Sequence, residues 1–231
     1  MEYFEYRNVV IETPNSLEAE AYRKLELNIR MIGLDQNIKV LQTTSASPRD
    51  GKTTTAINLA AVYAERGLKT IIIDLDLRRP KIHRAFHKAN DLGFYDYIVE
   101  NKTVEDIIVK GDGDIDLILS GSRISSPHIV LESKKTMDLI DKLKTMYDVV
   151  IVDSPPVLSV TDAFVISKIV DGVIYVVAYN QTKKDEAKIA LQQLQDKKAN
   201  ILGTVFANVN PKISGHSYNY YYREIEEEDE E

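Results

Sequence analysis

The stretch "TTSASPRDGKTTTAINLA", residues 43–60, decides how the rest of the chain is read. Its core, Ala46-Ser47-Pro48-Arg49-Asp50-Gly51-Lys52-Thr53, has the spacing of a P-loop, with alanine where a first glycine is common. "KVLQTT" (39–44) reads as a strand running into the loop, and the apolar period over 53–66, closed by Gly67, reads as a helix leaving it. Successive backbone N–H groups of such a loop, with the positive end of the helix, cradle a β-phosphate. Gly51 lets the backbone come close, Lys52 neutralises β- and γ-oxygens, and Thr53 offers its hydroxyl to Mg²⁺. The expected nucleotide contacts are therefore Ser47, Pro48, Arg49, Asp50, Gly51, Lys52, Thr53 and Thr54. A chance Gly-Lys-Thr in a surface loop is the plain alternative, and the strand-and-helix context argues against it.

Outward from the loop, short β-branched runs alternate with helical periods. "TIIID" (70–74), "IDLIL" (115–119), "DVVIVD" (148–153), "GVIYVVAY" (172–179) and "ILGTVFANV" (201–209) read as further strands. Most are continuous apolar runs, as expected of strands buried on both faces of a parallel sheet. Helical patterns lie over 103–110, 133–146, 161–169 and 183–197, and residues 16–32 form an apolar helix face through Leu17, Ala21, Leu25, Ile29 and Ile32. The alternation predicts an α/β fold: a mostly parallel sheet with helices on both faces and right-handed crossovers. We read one domain over 1–210, including the helix 16–32, and a tail over 211–231.

Three carboxylates end strands beside the loop. Asp74 and Asp76 sit two apart in "IIIDLDLRRP", and Asp153 closes "DVVIVD". Ligands of open parallel sheets bind beyond the carboxyl ends of the strands, so all three lie there beside the P-loop. Asp153 suits the role of holding the water shell of Mg²⁺. A lone aspartate at a strand end is more often a cap or turn residue, but three of them beside a P-loop point to a Mg·nucleotide site.

Composition excludes several classes. The formal charge of −7 comes from the end of the chain: residues 224–231 hold seven acids and no base, leaving 29 acids against 29 bases in residues 1–223. A neutral body argues against nucleic-acid binding. With no cysteine there is no disulfide, thiolate metal site or cysteine nucleophile. The opening "MEYFEYRN" lacks the pattern of a signal peptide, and no run comes near the roughly 18 apolar residues of a membrane span. A cytoplasmic protein is expected. The ending "HSYNYYYREIEEEDEE" (216–231) places four of thirteen tyrosines between Tyr218 and Tyr222, before the acidic block. By composition alone this is a solvated tail.

"IIIDLDLRRP", with its Asp-x-Asp followed by Arg-Arg-Pro (the Walker A′ motif), together with "VIVDSPP", resembles the bacterial tyrosine kinases of capsule and exopolysaccharide synthesis. The resemblance spans nearly the whole chain, through "EAYRKLELNI", the P-loop, "LILSGSRISSPHIVLES", "YDVVIVDSPPV" and the tyrosine-rich end. It implies a MinD-like P-loop NTPase fold using ATP and Mg²⁺, and phosphorylation of Tyr218, Tyr220, Tyr221 and Tyr222 between subunits. Lys52, Asp74 and Asp76 become the catalytic residues, with Asp74 nearer the incoming phenol and Asp76 nearer the metal, beside Thr53 and Asp153. The implied partners are a membrane adaptor (a polysaccharide co-polymerase) whose cytoplasmic segment activates the kinase, a further copy of the chain, and a cognate tyrosine phosphatase. The implied location is the inner face of the membrane, reached through the adaptor without insertion.

Two departures stand out. The leading helix of the family often carries Glu-x-x-Arg-x-x-Arg for a ring contact, and here Glu20 and Arg23 are followed by Glu26; Leu75 stands between the aspartates where glycine is common. The main rival is a MinD/ParA-type ATPase switch without kinase activity. Such proteins carry a signature lysine at the second P-loop position, and here that residue is Ser47. Asn208 has two readings, adenine recognition or a local backbone contact at a strand end. Arg78 and Arg79 also have two, contact with phosphates or reception of an acidic tail.

Overall fold

In the computed structural model, which describes residues 6–209, the apolar runs pair into one sheet. Its strands are β1 (Val40–Ser45), β2 (Thr70–Asp74), β3 (Ile108–Lys110), β4 (Ile115–Ile118), β5 (Val149–Asp153), β6 (Gly172–Ala178) and β7 (Ile201–Ala207). The order is β3-β4-β2-β5-β1-β6-β7, parallel throughout except for β3 against β4. The helices are α1 (Val9–Glu12), α2 (Leu17–Ile32), α3 (Lys52–Glu65), α4 (Ile82–Ala85), α5 (Phe94–Val99), α6 (Pro127–Leu131), α7 (Lys134–Met146), α8 (Asp162–Ile166) and α9 (Lys184–Asp196).

The period of two along each strand builds two cores. Leu41, Ile72, Leu117, Ile151 and Ile174 point to one face, where α3 packs through Ile57 and Leu59 and α2 closes over it with Ala19 and Ile29. Val40, Ile71, Ile73, Val150 and Val152 point to the other, under Phe94 of α5 and Leu139, Ile140 and Leu143 of α7. On β6, Val173 and Tyr175 pack with Ala190 and Leu194 of α9. Each such side chain, fully buried, contributes about 1.5–3 kcal/mol, which outweighs the weak strand propensity of any one residue. Both faces of the central strands are covered, as the continuous apolar runs require.

One expected helix is absent. Over 103–110 Thr103 does open a turn, its Oγ1 accepting from Asp106 N at 3.2 Å, but only one 3-10 turn (Glu105–Ile107) follows. Ile108 and Val109 are β-branched and pair with Ile118 and Leu117 as the antiparallel edge strand. The helix expected over 161–169 is the shorter α8, and the last strand ends at Ala207. The tyrosine cluster and acidic run lie outside the described residues.

The charges on α2 bind it to α3. Arg23 Nη2 and Nε donate to Glu65 at 2.8 and 2.9 Å. Glu26, the family departure, is buried and held by Arg66, just past α3, and by Arg30. A buried carboxylate is tolerated only when paired, so Glu26 reads here as part of the α2–α3 contact. No helix among the described residues is long and apolar enough to cross a membrane.

Candidate active site

The P-loop sits at the carboxyl end of β1, between β5 and β6. Gly51 stands before α3 with φ of 90°, and a Cβ there would lie 2.9 Å from the Cβ of Ala207. Both the backbone sign and the approach of β7 demand glycine. Arg49 is also left-handed, at φ 72°. The loop is braced from within and from the segment that follows the neighbouring β6: Asp50 accepts from Ser47 N at 2.9 Å and from Thr182 Oγ1 at 2.8 Å. Gln181 Nε2 donates to the Arg49 carbonyl at 3.1 Å, and Ser47 Oγ lies 3.2 Å from Glu186. Thr182, Gln181 and Glu186 were missed in the sequence because their only local signal is the start of a helix; proximity to the loop arises from strand order. Asp50, expected among the nucleotide contacts, uses its carboxylate on the loop itself.

Lys52 lies between two carboxylates. Its Nζ is 3.1 Å from Asp76 Oδ2 and 3.3 Å from Asp153 Oδ1, with all three side chains buried. Thr53 Oγ1 donates to Asp153 Oδ2 at 2.7 Å. Register puts Asp74 opposite Asp153 on adjacent strands, but Asp74 turns toward the following segment. Its Oδ1 accepts from Asp76 N at 3.2 Å, and its Oδ2 accepts from Lys81 N at 2.8 Å and Ile82 N at 3.0 Å. The two aspartates thus divide: Asp76 faces the lysine, and Asp74 faces the loop that leads into α4.

Three buried acids, with Lys52 in contact and Lys81 acting from further off, set the electrostatics. Burial pushes the Lys52 ammonium down, yet Asp153 and Asp76 pull it up further, so the net shift is upward. Burial and the charge of Asp153 raise Asp74 to about 7, against the amides of Ile82 and Lys81. Asp153 is also raised, first by burial; Lys52 pulls it down and Asp76 pushes it up. Each gains from the other's charge, but for Asp153 burial outweighs that gain. The lysine is satisfied, and the acids, sharing it, are not. That excess of negative charge suits a second cation. Among the described residues no group of three or more acids and imidazoles could hold a metal alone. A hydroxyl and a carboxylate beside a phosphate cradle nonetheless fit Mg²⁺, which prefers oxygen ligands and is commonly shared with substrate phosphates and water.

Of the remaining candidates, Pro48 and Thr54 lie on the loop and the first turn of α3. Asn208 follows β7 at φ 59°, exposed, one residue past the Ala207 that touches the loop. Arg78 grips the buried Asp162 of α8 through Nε and Nη2 at 2.8 and 3.1 Å, so its guanidinium serves the fold. Arg79 is exposed, and among the described residues its side chain has no ion-pair partner. Tyr218, Tyr220, Tyr221 and Tyr222 lie outside the described residues.

Residues 49–203 match a family model described as an AAA domain. The tyrosine-protein kinase YwqD of Bacillus subtilis is 36% identical over 218 residues, which cover 93% of this chain and 91% of that protein. The putative tyrosine-protein kinase CapB of Staphylococcus aureus is 32% identical over 216 residues, covering 93% and 94%. Among solved structures, the chimerical protein CapA2B2 superposes with a TM-score of 0.83 at 35% identity, over 89% of this chain and 91% of that one. The septum site-determining protein MinD of Pyrococcus horikoshii aligns over 75% of the chain at 20% identity and a TM-score of 0.63, a likeness of fold.

Proposed function

The chain belongs to the bacterial tyrosine-protein kinases, and from that premise we propose that it uses Mg·ATP to phosphorylate its own C-terminal tyrosine cluster between subunits, regulating capsular or exopolysaccharide synthesis and export. The observation that carries the reading is the buried cluster of Lys52, Asp76, Asp153 and Thr53 at the mouth of the P-loop, with Asp74 turned out of it.

Phosphoryl transfer asks for positioning and charge neutralisation more than for covalent chemistry. The loop amides and the start of α3 hold the phosphates, and Lys52, held in reserve by two aspartates, is the cation that meets the β- and γ-oxygens. Mg²⁺, when bound, neutralises charge across the same oxygens, and Thr53, Asp153 and Asp76 are the residues placed to hold it. Asp74 orients the acceptor phenol and takes its proton. A phenol at about 10 loses its proton to a carboxylate near neutrality only as the O–P bond forms, so that transfer is late. Asn208, beyond the open side of the loop, is assigned to the base of the nucleotide.

The same reading gives the chain an activating membrane adaptor, a cognate tyrosine phosphatase, no nucleic-acid partner, and a place at the inner face of the membrane. It treats residues 1–210 as the kinase domain and 211–231 as its substrate tail. The test incubates the full chain with Mg·ATP, with and without the adaptor's cytoplasmic segment, and maps phosphotyrosine. Phosphate on the tail cluster, stimulated by the segment, is the expected result. ATP hydrolysis without any phosphotyrosine would replace the kinase by a MinD/ParA-type switch.

A further inference from the structure

A tyrosine of the chain's own N-terminal segment lies against Lys81, just past the paired aspartates. The segment is pinned along α3: Asn58 Nδ2 donates to the Arg7 carbonyl at 2.9 Å, and Val10 N donates to Asn58 Oδ1 at 3.2 Å. This clamp delivers Tyr6 toward the Lys52 end of the helix. The Tyr6 ring packs, partly buried, on the α3 core, with the Lys81 ammonium 5.8 Å from its centroid. Lys52, Asp153, Arg84 and Asp74 all act electrostatically on its phenol. Lys81 is tied to the same place from its other end, its N–H donating to Asp74 Oδ2 at 2.8 Å. A partly buried phenol ring under the lysine whose own amide holds the carboxylate assigned as base stands where a tyrosine kinase must bring its substrate.

Resting on the kinase reading, we propose that Tyr6 occupies the acceptor-tyrosine subsite in the resting fold, and that Lys81 is the residue that holds the acceptor ring there. A cation over a ring face attracts the ring quadrupole within about 6 Å, and more strongly where water is excluded. The neighbouring backbone of Lys81 fixes Asp74, so ring and base are registered by one residue. An incoming tail tyrosine must displace Tyr6, and its apparent affinity falls by the fraction of time the subsite is free.

The test uses the full chain with Tyr218, Tyr220, Tyr221 and Tyr222 changed to Phe, and a synthetic peptide of residues 216–223 as acceptor. In the Tyr6→Ala background, where the subsite is free, Lys81→Ala keeps the backbone amide and is expected to raise the peptide KM roughly three- to tenfold, the worth of one cation–π contact. The KM for ATP stays unchanged, and Lys81→Arg restores the peptide KM. Tyr6→Ala is expected to lower the peptide KM and to tighten peptide binding, read by fluorescence anisotropy without ATP. The gain is about tenfold if Tyr6 fills the subsite nine-tenths of the time, and Tyr6→Phe, which keeps the ring, shows little of it. Peptide KM and affinity unmoved by Tyr6→Ala and by Lys81→Ala in that background, while the wild-type tail is phosphorylated, overturns this proposal alone. A wild-type chain that makes no phosphotyrosine overturns the kinase reading and this with it.

Discussion

Lys52→Met keeps the length of the side chain and deletes the cation in contact with the buried Asp76 and Asp153. Lys52 Nζ holds Asp76 at 3.1 Å and Asp153 at 3.3 Å, both inside the protein. Removing one member of a buried pair costs about 3–5 kcal/mol when the partner stays charged. Here the partners can escape by taking protons, so the cost depends on pH. A carboxylate raised in the fold binds protons more tightly there than in the unfolded chain. Its favourable effect is therefore complete below the unfolded value of about 4 and is lost as pH rises through the folded value. For Asp74 in the wild type that loss ends near its folded value of about 7. In the variant Asp153, already raised, loses the cation that pulls it down, its proton affinity rises, and the loss extends to higher pH. Lys52, itself raised, contributes fully at any pH below its unfolded value of about 10.4 and adds no slope in this range. Urea unfolding of both proteins without nucleotide, followed by circular dichroism, is the assay. The variant is expected to be less stable by about 3 kcal/mol near pH 8 and by about 1 kcal/mol near pH 5.5. A penalty that grows on acidification, or one near zero at the higher pH, refutes the account of the cluster.

In activity, Asp74→Asn is expected to abolish transfer while ATP still binds; in the wild type the transfer rate rises with pH through about 7 as Asp74 sheds its proton. A pH–rate profile of Asp74→Asn that keeps this inflection assigns the base elsewhere. Gly51→Ala forces a Cβ to 2.9 Å from that of Ala207 at a left-handed φ, for a loss of about 1–3 kcal/mol by thermal unfolding and weaker ATP binding. Arg78→Ala strips the partner from buried Asp162, but Arg78 is 40% exposed, so solvent reduces the loss to about 1–2 kcal/mol; urea unfolding that moves by much less would make the pair ornamental. Changing the four tail tyrosines to phenylalanine is expected to remove most autophosphorylation and leave nucleotide affinity intact, as phosphosite mapping and ATP titration together would reveal.

The sequence alone was enough for six of the seven strands and for the P-loop with acids near it, because their signals are local. A continuous apolar run between helical periods can bury both faces in only one way, and the loop spacing is set by the size of a phosphate. Residues 108–110 were misread because three β-branched or flanking residues do not distinguish a helix end from a short edge strand; pairing with β4 decided it. The same holds for the side chains that brace or face the site. Thr182 meets Asp50 across 132 positions, and Arg78 meets Asp162 across 84. Which aspartate faces Lys52, the burial of Glu26 and the placing of Tyr6 under Lys81 are likewise matters of which elements the fold makes neighbours. Local patterning dictates what each segment becomes, whereas a charge acquires its partner and its proton affinity only when strands distant in sequence are brought together in a dry interior.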